Sequence, residues 1–289
     1  MGSVTHVYEW FDGALRWRVP FDEVGQGAPV LCLPAPSTIS TREEMRGLAE
    51  RLARGRRVFL IDWPGFGEAD RLPIRYRAPL FSRFLRAFVA QFAEPVDVVA
   101  AGHAAGYVLA VAPAAARRFG RLVFLAPTWR GPLPTAMGPH PRVWSALEAL
   151  VRAPILGSLL YSANASRPFV RLMMRRHVFA EEPHLTAALL DARVRVAHRP
   201  NARFAAAAFV TGGLDMFASR SDYLNAASAC AAPIFVAMGD RTPPKSLAEM
   251  QALAALPNVQ STTVPGAIAF YDEYPEAAAV AVAAFLDAA

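Results

Sequence analysis

Between residues 30 and 126, short, largely apolar runs alternate with longer helix-like stretches, and that alternation most restricts what the chain can fold into. The apolar runs cover residues 30–33, 58–62, 96–101 and 122–126. Apart from Asp97 and the terminal Asp62 these runs hold no polar residue, which fits strands buried on both faces. The stretches between them carry helical spacing. Met45, Leu48, Leu52 and Ala53 share a face over residues 41–54, and Leu80, Phe84, Phe88 and Phe92 recur every fourth residue over 79–93. Residues 107–119 read as a third helix, largely apolar. Strand, helix, strand in this order implies an α/β fold with a mostly parallel sheet flanked by helices. Ahead of it, residues 7–11 and 15–20 read as a hairpin around Asp12-Gly13.

The pattern breaks and then resumes. Residues 139–216 contain five helical stretches (143–151, 155–161, 168–177, 184–198 and 203–211) and no strand signal. Strand-like runs return at 233–238 and 259–264, with helices at 245–255 and 274–286. The expected organisation is one α/β core made of residues 1–138 and 217–289, with 139–216 inserted as a helical cap. A chain of 289 residues that is 54% hydrophobic supports one large core and excludes a disordered polymer.

Composition excludes several function classes. Two cysteines, Cys32 and Cys230, make neither a disulfide scaffold nor a cysteine-rich zinc site. The six histidines show no metal-ligand spacing, so neither a metal nor a cofactor is expected. The formal charge is +6, yet Lys245 is the only lysine and the arginines are scattered, which argues against a nucleic-acid-binding face. No apolar run reaches membrane-span length, and the first residues lack the basic and apolar regions of a secretory leader. The expectation is a soluble cytoplasmic protein with no integral membrane segment and no nucleic-acid partner.

Two motifs act together. Asp62-Trp63-Pro64-Gly65-Phe66-Gly67 follows one strand, and Gly102-His103-Ala104-Ala105-Gly106 joins another strand to a helix. The second has the spacing of a strained strand-to-helix turn, in which small residues flank the bend. With the strand order, these motifs resemble the α/β-hydrolase superfamily over residues 30–286, in the branch with a helical cap that includes epoxide hydrolases, haloalkane dehalogenases and esterases. The resemblance implies an α/β-hydrolase fold with a nucleophile elbow, an acid after the strand at 233–238, and a histidine in the loop at 265–276.

The residues at those positions do not match the chemistry. Ala104 stands at the nucleophile position, and its methyl group cannot attack a carbonyl. Ala269 stands where the histidine is implied, and no histidine follows His198. In Gly239-Asp240-Arg241-Thr242-Pro243 the acid position falls on Thr242, with Asp240 two residues early. Of the two oxyanion donors, the Ala105 N–H survives as backbone, but the other position is Pro36, which has no N–H. A serine-to-alanine change engineered at the elbow would explain Ala104 alone.

Other polar or aromatic groups expected near the same sheet edge are Ser37, His103, Trp129, Tyr271 and Asp272, with His177 from the cap. Ser40 and Glu43 fit a capping box for the first core helix. The reading that follows is a hydrolase-fold protein with an apolar small-molecule pocket under its cap and no serine-hydrolase activity. Its partner would be a small apolar ligand. The alternatives are an enzyme using non-covalent acid/base chemistry and a hydrolase whose elbow serine was replaced.

Overall fold

A computed structural model describes residues 2–288. Eight strands form one sheet: β1 (Ser3–Asp12), β2 (Leu15–Val24), β3 (Ala28–Leu33), β4 (Arg56–Ile61), β5 (Val96–Ala101), β6 (Phe119–Leu125), β7 (Ile234–Gly239) and β8 (Val259–Val264). Their order is β1-β2-β4-β3-β5-β6-β7-β8. β1, β2 and β4 pair antiparallel, and every pairing from β4 through β3 to β8 is parallel. This is the α/β-hydrolase fold. The apolar runs that suggested central strands are buried throughout at Val30–Leu33 and at Val98–Ala101. β8 lies at the sheet edge, and Gln260 and Ser261 on it are exposed.

Thirteen helices are used below: α1 (Arg46–Leu52), α2 (Ala78–Val89), α3 (Ala104–Val111), α4 (Pro132–Met137), α5 (Pro141–Arg152), α6 (Ile155–Asn164), α7 (Arg167–Met173), α8 (Ala187–Ala197), α9 (Ala202–Val210), α10 (Arg220–Ser228), α11 (Pro244–Ala254), α12 (Phe270–Glu273) and α13 (Pro275–Leu286). Helices α4 to α10 all lie between β6 and β7. The sequence pattern does not reveal α10, where the Ser219 hydroxyl caps the helix by accepting the Asp222 N–H.

The first core helix begins differently from expectation. A 3₁₀ turn at Arg42–Met45 precedes α1, and its cap is Thr41, whose hydroxyl accepts the Glu43 N–H at 3.1 Å. Ser40 forms no capping box, since its hydroxyl pairs with that of Ser37 at 2.7 Å. The third helix also starts early, at Ala104, and gives way after Val111 to a 3₁₀ stretch containing Pro113.

The strand order fixes where a site can lie. β3 has β4 on one side and β5 on the other, so the connections leave in opposite directions at that point. Open α/β sheets form their ligand crevice at the carboxyl edge there. The segment after β3 is Pro34-Ala35-Pro36, and the segment after β5 opens with Gly102.

Candidate functional site

The turn after β5 is built around one left-handed residue. Gly102 has φ +53°, whereas His103 and Ala104 are already helical. The strained position expected at Ala104 therefore falls at Gly102. Glycine alone adopts this conformation at no steric cost. A Cβ at Gly102 would meet only the Ala35 Cβ, at 3.1 Å, so a side chain there would face the segment after β3. The Gly102 N–H donates to Leu125 O at 2.9 Å, and its carbonyl accepts from Thr128 at 3.2 Å, which ties the turn to the end of β6. Next to it Ala126 also has a positive φ, of 44°. A non-glycine residue in that region is strained, and such strain concentrates at functional sites.

The turn after β4 supports this edge from below. The Asp62 carboxylate accepts from the Arg42 N–H (2.8 Å), the Arg42 guanidinium (2.7 Å) and the Glu68 N–H (3.0 Å). Gly67, at φ +53°, packs so closely that a Cβ there would stand 2.0 Å from Asp62 Oδ1. Trp63 donates its indole N–H to Pro34 O at 2.7 Å, pinning the segment after β3. The Asp-x-Pro-Gly-x-Gly motif is thus a structural turn.

A buried charged cluster adjoins that segment. Glu44 Oε1 accepts from the Ala35 N–H at 3.3 Å and from the Tyr271 hydroxyl at 3.1 Å. Arg193 of α8 lies 3.6 Å from Glu44 Oε2 and also pairs with Asp272. Burial pushes the Glu44 carboxyl up to about 7, against the opposing pull of Arg193. Burial also raises Asp272, again opposed by Arg193. The cluster joins three chain segments and holds the helical segment against the core.

His103, the residue after the bend, is buried and turned away from this cluster. Its Nε2 lies 2.9 Å from Asp215 Oδ1, and the same Asp215 oxygen accepts the Gly131 N–H at 2.8 Å. His103 Nδ1 is buried with no partner.

The remaining expected residues are scattered. Thr242 is buried and its hydroxyl has no partner. Asp240 is half exposed and accepts the Gly266 N–H at 2.9 Å, clasping the loops after β7 and β8 together. Ala269 is buried and donates its N–H to Val178 O at 3.0 Å. Ala105 is buried inside α3, where its N–H donates to Gly102 O at 3.3 Å. Trp129 points to α11, donating to Glu249 at 2.9 Å with Arg130 stacked 4.9 Å away. His177 is exposed on the turn after α7. The Ser37 hydroxyl pairs with that of Ser40, and its N–H donates to Ala35 O at 2.8 Å. Tyr271 and Asp272 are the expected side chains that join the charged cluster. Glu44, Arg193 and Asp215 were not expected, and no spacing signal links them because the contacts cross 149, 79 and 112 residues of chain.

Two cavities among the described residues lie away from Gly102. One of about 170 Å³ is lined by Arg175, Phe179, Glu181 and Leu185. The other, of about 360 Å³, lies at the opposite sheet edge between Ala28, Arg51, Arg56 and Asp287. Among the described residues, no group of three His, Cys, Asp or Glu side chains gathers as metal ligands.

The sequence matches the model of the family described as "Alpha/beta hydrolase family" over residues 27–281. No curated protein matches the chain in sequence. Solved structures share its fold. A thermophilic esterase from Thermogutta terrifontis superposes with a TM-score of 0.76 at 18% identity, covering 97% of this chain and 98% of the other. The haloalkane dehalogenase DatA from Agrobacterium tumefaciens C58 superposes at 0.74, also at 18% identity, covering 98% and 96%. A bromoperoxidase from Bacillus anthracis superposes at 0.75 and 14% identity, covering 98% and 100%.

Proposed function

We propose that this protein, which belongs to the alpha/beta hydrolase family, is a non-hydrolytic member that holds a small apolar ligand beneath a cap formed by residues 139–216. The observation that carries the reading is the bend after β5. Its left-handed residue is Gly102, which has no side chain, and Ala104 beyond it offers only a methyl group. A covalent mechanism needs a nucleophile, a base and an oriented acid together. Ala269 and Thr242 supply neither base nor acid, and Pro36 cannot donate to an oxyanion. Losing one oxyanion donor alone costs about 10²–10³ in rate. A replaced elbow serine would account for one of these positions and leave the other three unexplained.

The test uses a fluorophosphonate probe and simple aryl esters on the wild type, Gly102→Ser and Ala104→Ser. No labelling and no turnover are expected from any of the three. Recovery of both by either single substitution would overturn the reading and favour an inactivated hydrolase. The ligand-holding half is read by native mass spectrometry of the protein as isolated. A stoichiometric apolar adduct is expected, and a bare mass throughout would remove that half.

A second reading is favoured by Glu44. A carboxyl with a value of about 7, bonded to a tyrosine hydroxyl beside the carboxyl edge, suits general acid/base chemistry that needs no covalent step. It requires substrate contact with Glu44. Turnover of a proton-transfer substrate abolished by Glu44→Gln and unaffected by the serine substitutions would favour it over the first.

A further inference from the structure

Three consecutive helices between β6 and β7 carry apolar stripes that none of the described residues covers. On α6, Ile155 (79% exposed), Leu156, Leu159 (65%), Leu160 and Ala163 lie at the i, i+1, i+4, i+5 and i+8 positions of one outward face. On α5 the outward face holds Val143, Ala146 and Leu150, and on α7 it holds Phe169 and Leu172. α6 contacts both neighbours. Amphipathic helices on a protein surface ordinarily turn this face inward. A contiguous outward apolar surface marks an interaction site.

The charge around these stripes identifies the partner. Residues 139–216 hold ten arginines and five carboxylates, so this segment carries +5 of the formal +6 of the whole chain. Arg142 adjoins Val143 at the start of α5, and Arg176 follows Leu172 by one helical turn. Both are exposed, and neither has an ion-pair partner among the described residues. Arg167, Arg171 and Arg175 flank them and pair with Asp191 and Glu182. A second copy docked face to face would bring two such positive surfaces together, whereas an anionic lipid surface is complementary to one.

The geometry fits lying on a bilayer better than crossing one. α5 and α6 meet at 102°, and no single helix among the described residues is long and apolar enough to cross a membrane. Helices of 12 and 10 residues extend only about 18 and 15 Å, against a hydrocarbon core of about 30 Å. Helices of this kind bury an apolar face in the headgroup region while basic side chains meet anionic lipid.

We propose that α5, α6 and α7 form an interfacial anchor that docks the protein on anionic membrane surfaces. The inference rests on the outer face of these helices and is independent of what the crevice at Gly102 does. It is tested by flotation of the full chain with phosphatidylcholine vesicles containing about one-third phosphatidylglycerol, beside vesicles of phosphatidylcholine alone. The wild type is expected to float with the anionic vesicles and at least about tenfold less with neutral ones, and to be released when about 1 M salt cuts the Debye length from about 10 Å to about 3 Å. The double substitution Leu156→Ser, Leu159→Ser is expected to abolish flotation with melting temperature unchanged, because both side chains are already exposed. Wild-type protein that stays at the bottom of the gradient with anionic vesicles overturns the proposal. So does a double variant that floats like the wild type, or a stable dimer in light scattering that the double substitution dissociates.

Discussion

Replacing Glu44 by Gln should flatten the pH dependence of stability. Glu44 is buried, and its carboxyl titrates near 7 in the fold against an ordinary value of 4.5. The folded value lies above the unfolded one, so folding takes up a proton between those pH values. The group's contribution to stability is complete below pH 4.5 and is lost as pH rises through 7. Each tenfold difference in proton affinity is worth about 1.4 kcal/mol, which makes the loss about 3 kcal/mol by pH 8. The Gln amide oxygen can still accept from the Ala35 N–H and the Tyr271 hydroxyl, and Arg193 keeps Asp272. The raised carboxyl of Asp272 titrates in both proteins and cancels in their difference to first order. Urea denaturation of both proteins from pH 5 to 8.5 is the assay. The two should agree within about 1 kcal/mol at the acid end, and the variant should exceed the wild type by up to about 3 kcal/mol at the alkaline end. A difference that stays constant with pH would refute the argument, since it would mean that Glu44 does not ionise across this range.

Two further substitutions probe the turns that shape the carboxyl edge. Gly67→Ala should cost more than about 2 kcal/mol in thermal or chemical denaturation, because a methyl at φ +53° would press on the Asp62 carboxylate that Arg42 and Glu68 hold in place. An unchanged melting temperature would mean the turn is looser than its geometry. Thr242→Val should be neutral or stabilising by up to about 1 kcal/mol, since it removes a buried hydroxyl that has no partner, and a clear loss of stability would point to a hydrogen bond at that site.

The parallel core was legible because a strand buried on both faces must be continuously apolar, as residues 30–33 and 98–101 are. The bend after β5 was legible as a turn, but not to the residue. Gly102-His103-Ala104-Ala105-Gly106 offers small residues on a spacing that suits a bend at Ala104, while the backbone places the positive φ two positions earlier. That choice is settled by where β5 stops, at Ala101, and strand ends are the least determined part of a pattern. The charged cluster could be read only in part: Tyr271 and Asp272 were expected at this edge, but not the partners they find there. Glu44, Arg193 and Asp272 lie on a 3₁₀ turn, a helix between β6 and β7, and the loop after β8, and only the folded chain brings them together. Ser40 was misread for a different reason. Its neighbour Thr41 can also cap, and the backbone entry angle favoured Thr41.

The single lysine of this arginine-rich chain makes the molecule unusually easy to report on. Lys245, exposed at the start of α11, donates its ammonium to Ala136 O of α4 at 2.6 Å, across the junction between the sheet-bearing core and the helices that follow β6. Apart from the chain's own amino terminus, an amine-selective dye has no other site to modify. A fluorophore placed there needs no mutation, and it sits where any rocking of those helices against the sheet would change its surroundings.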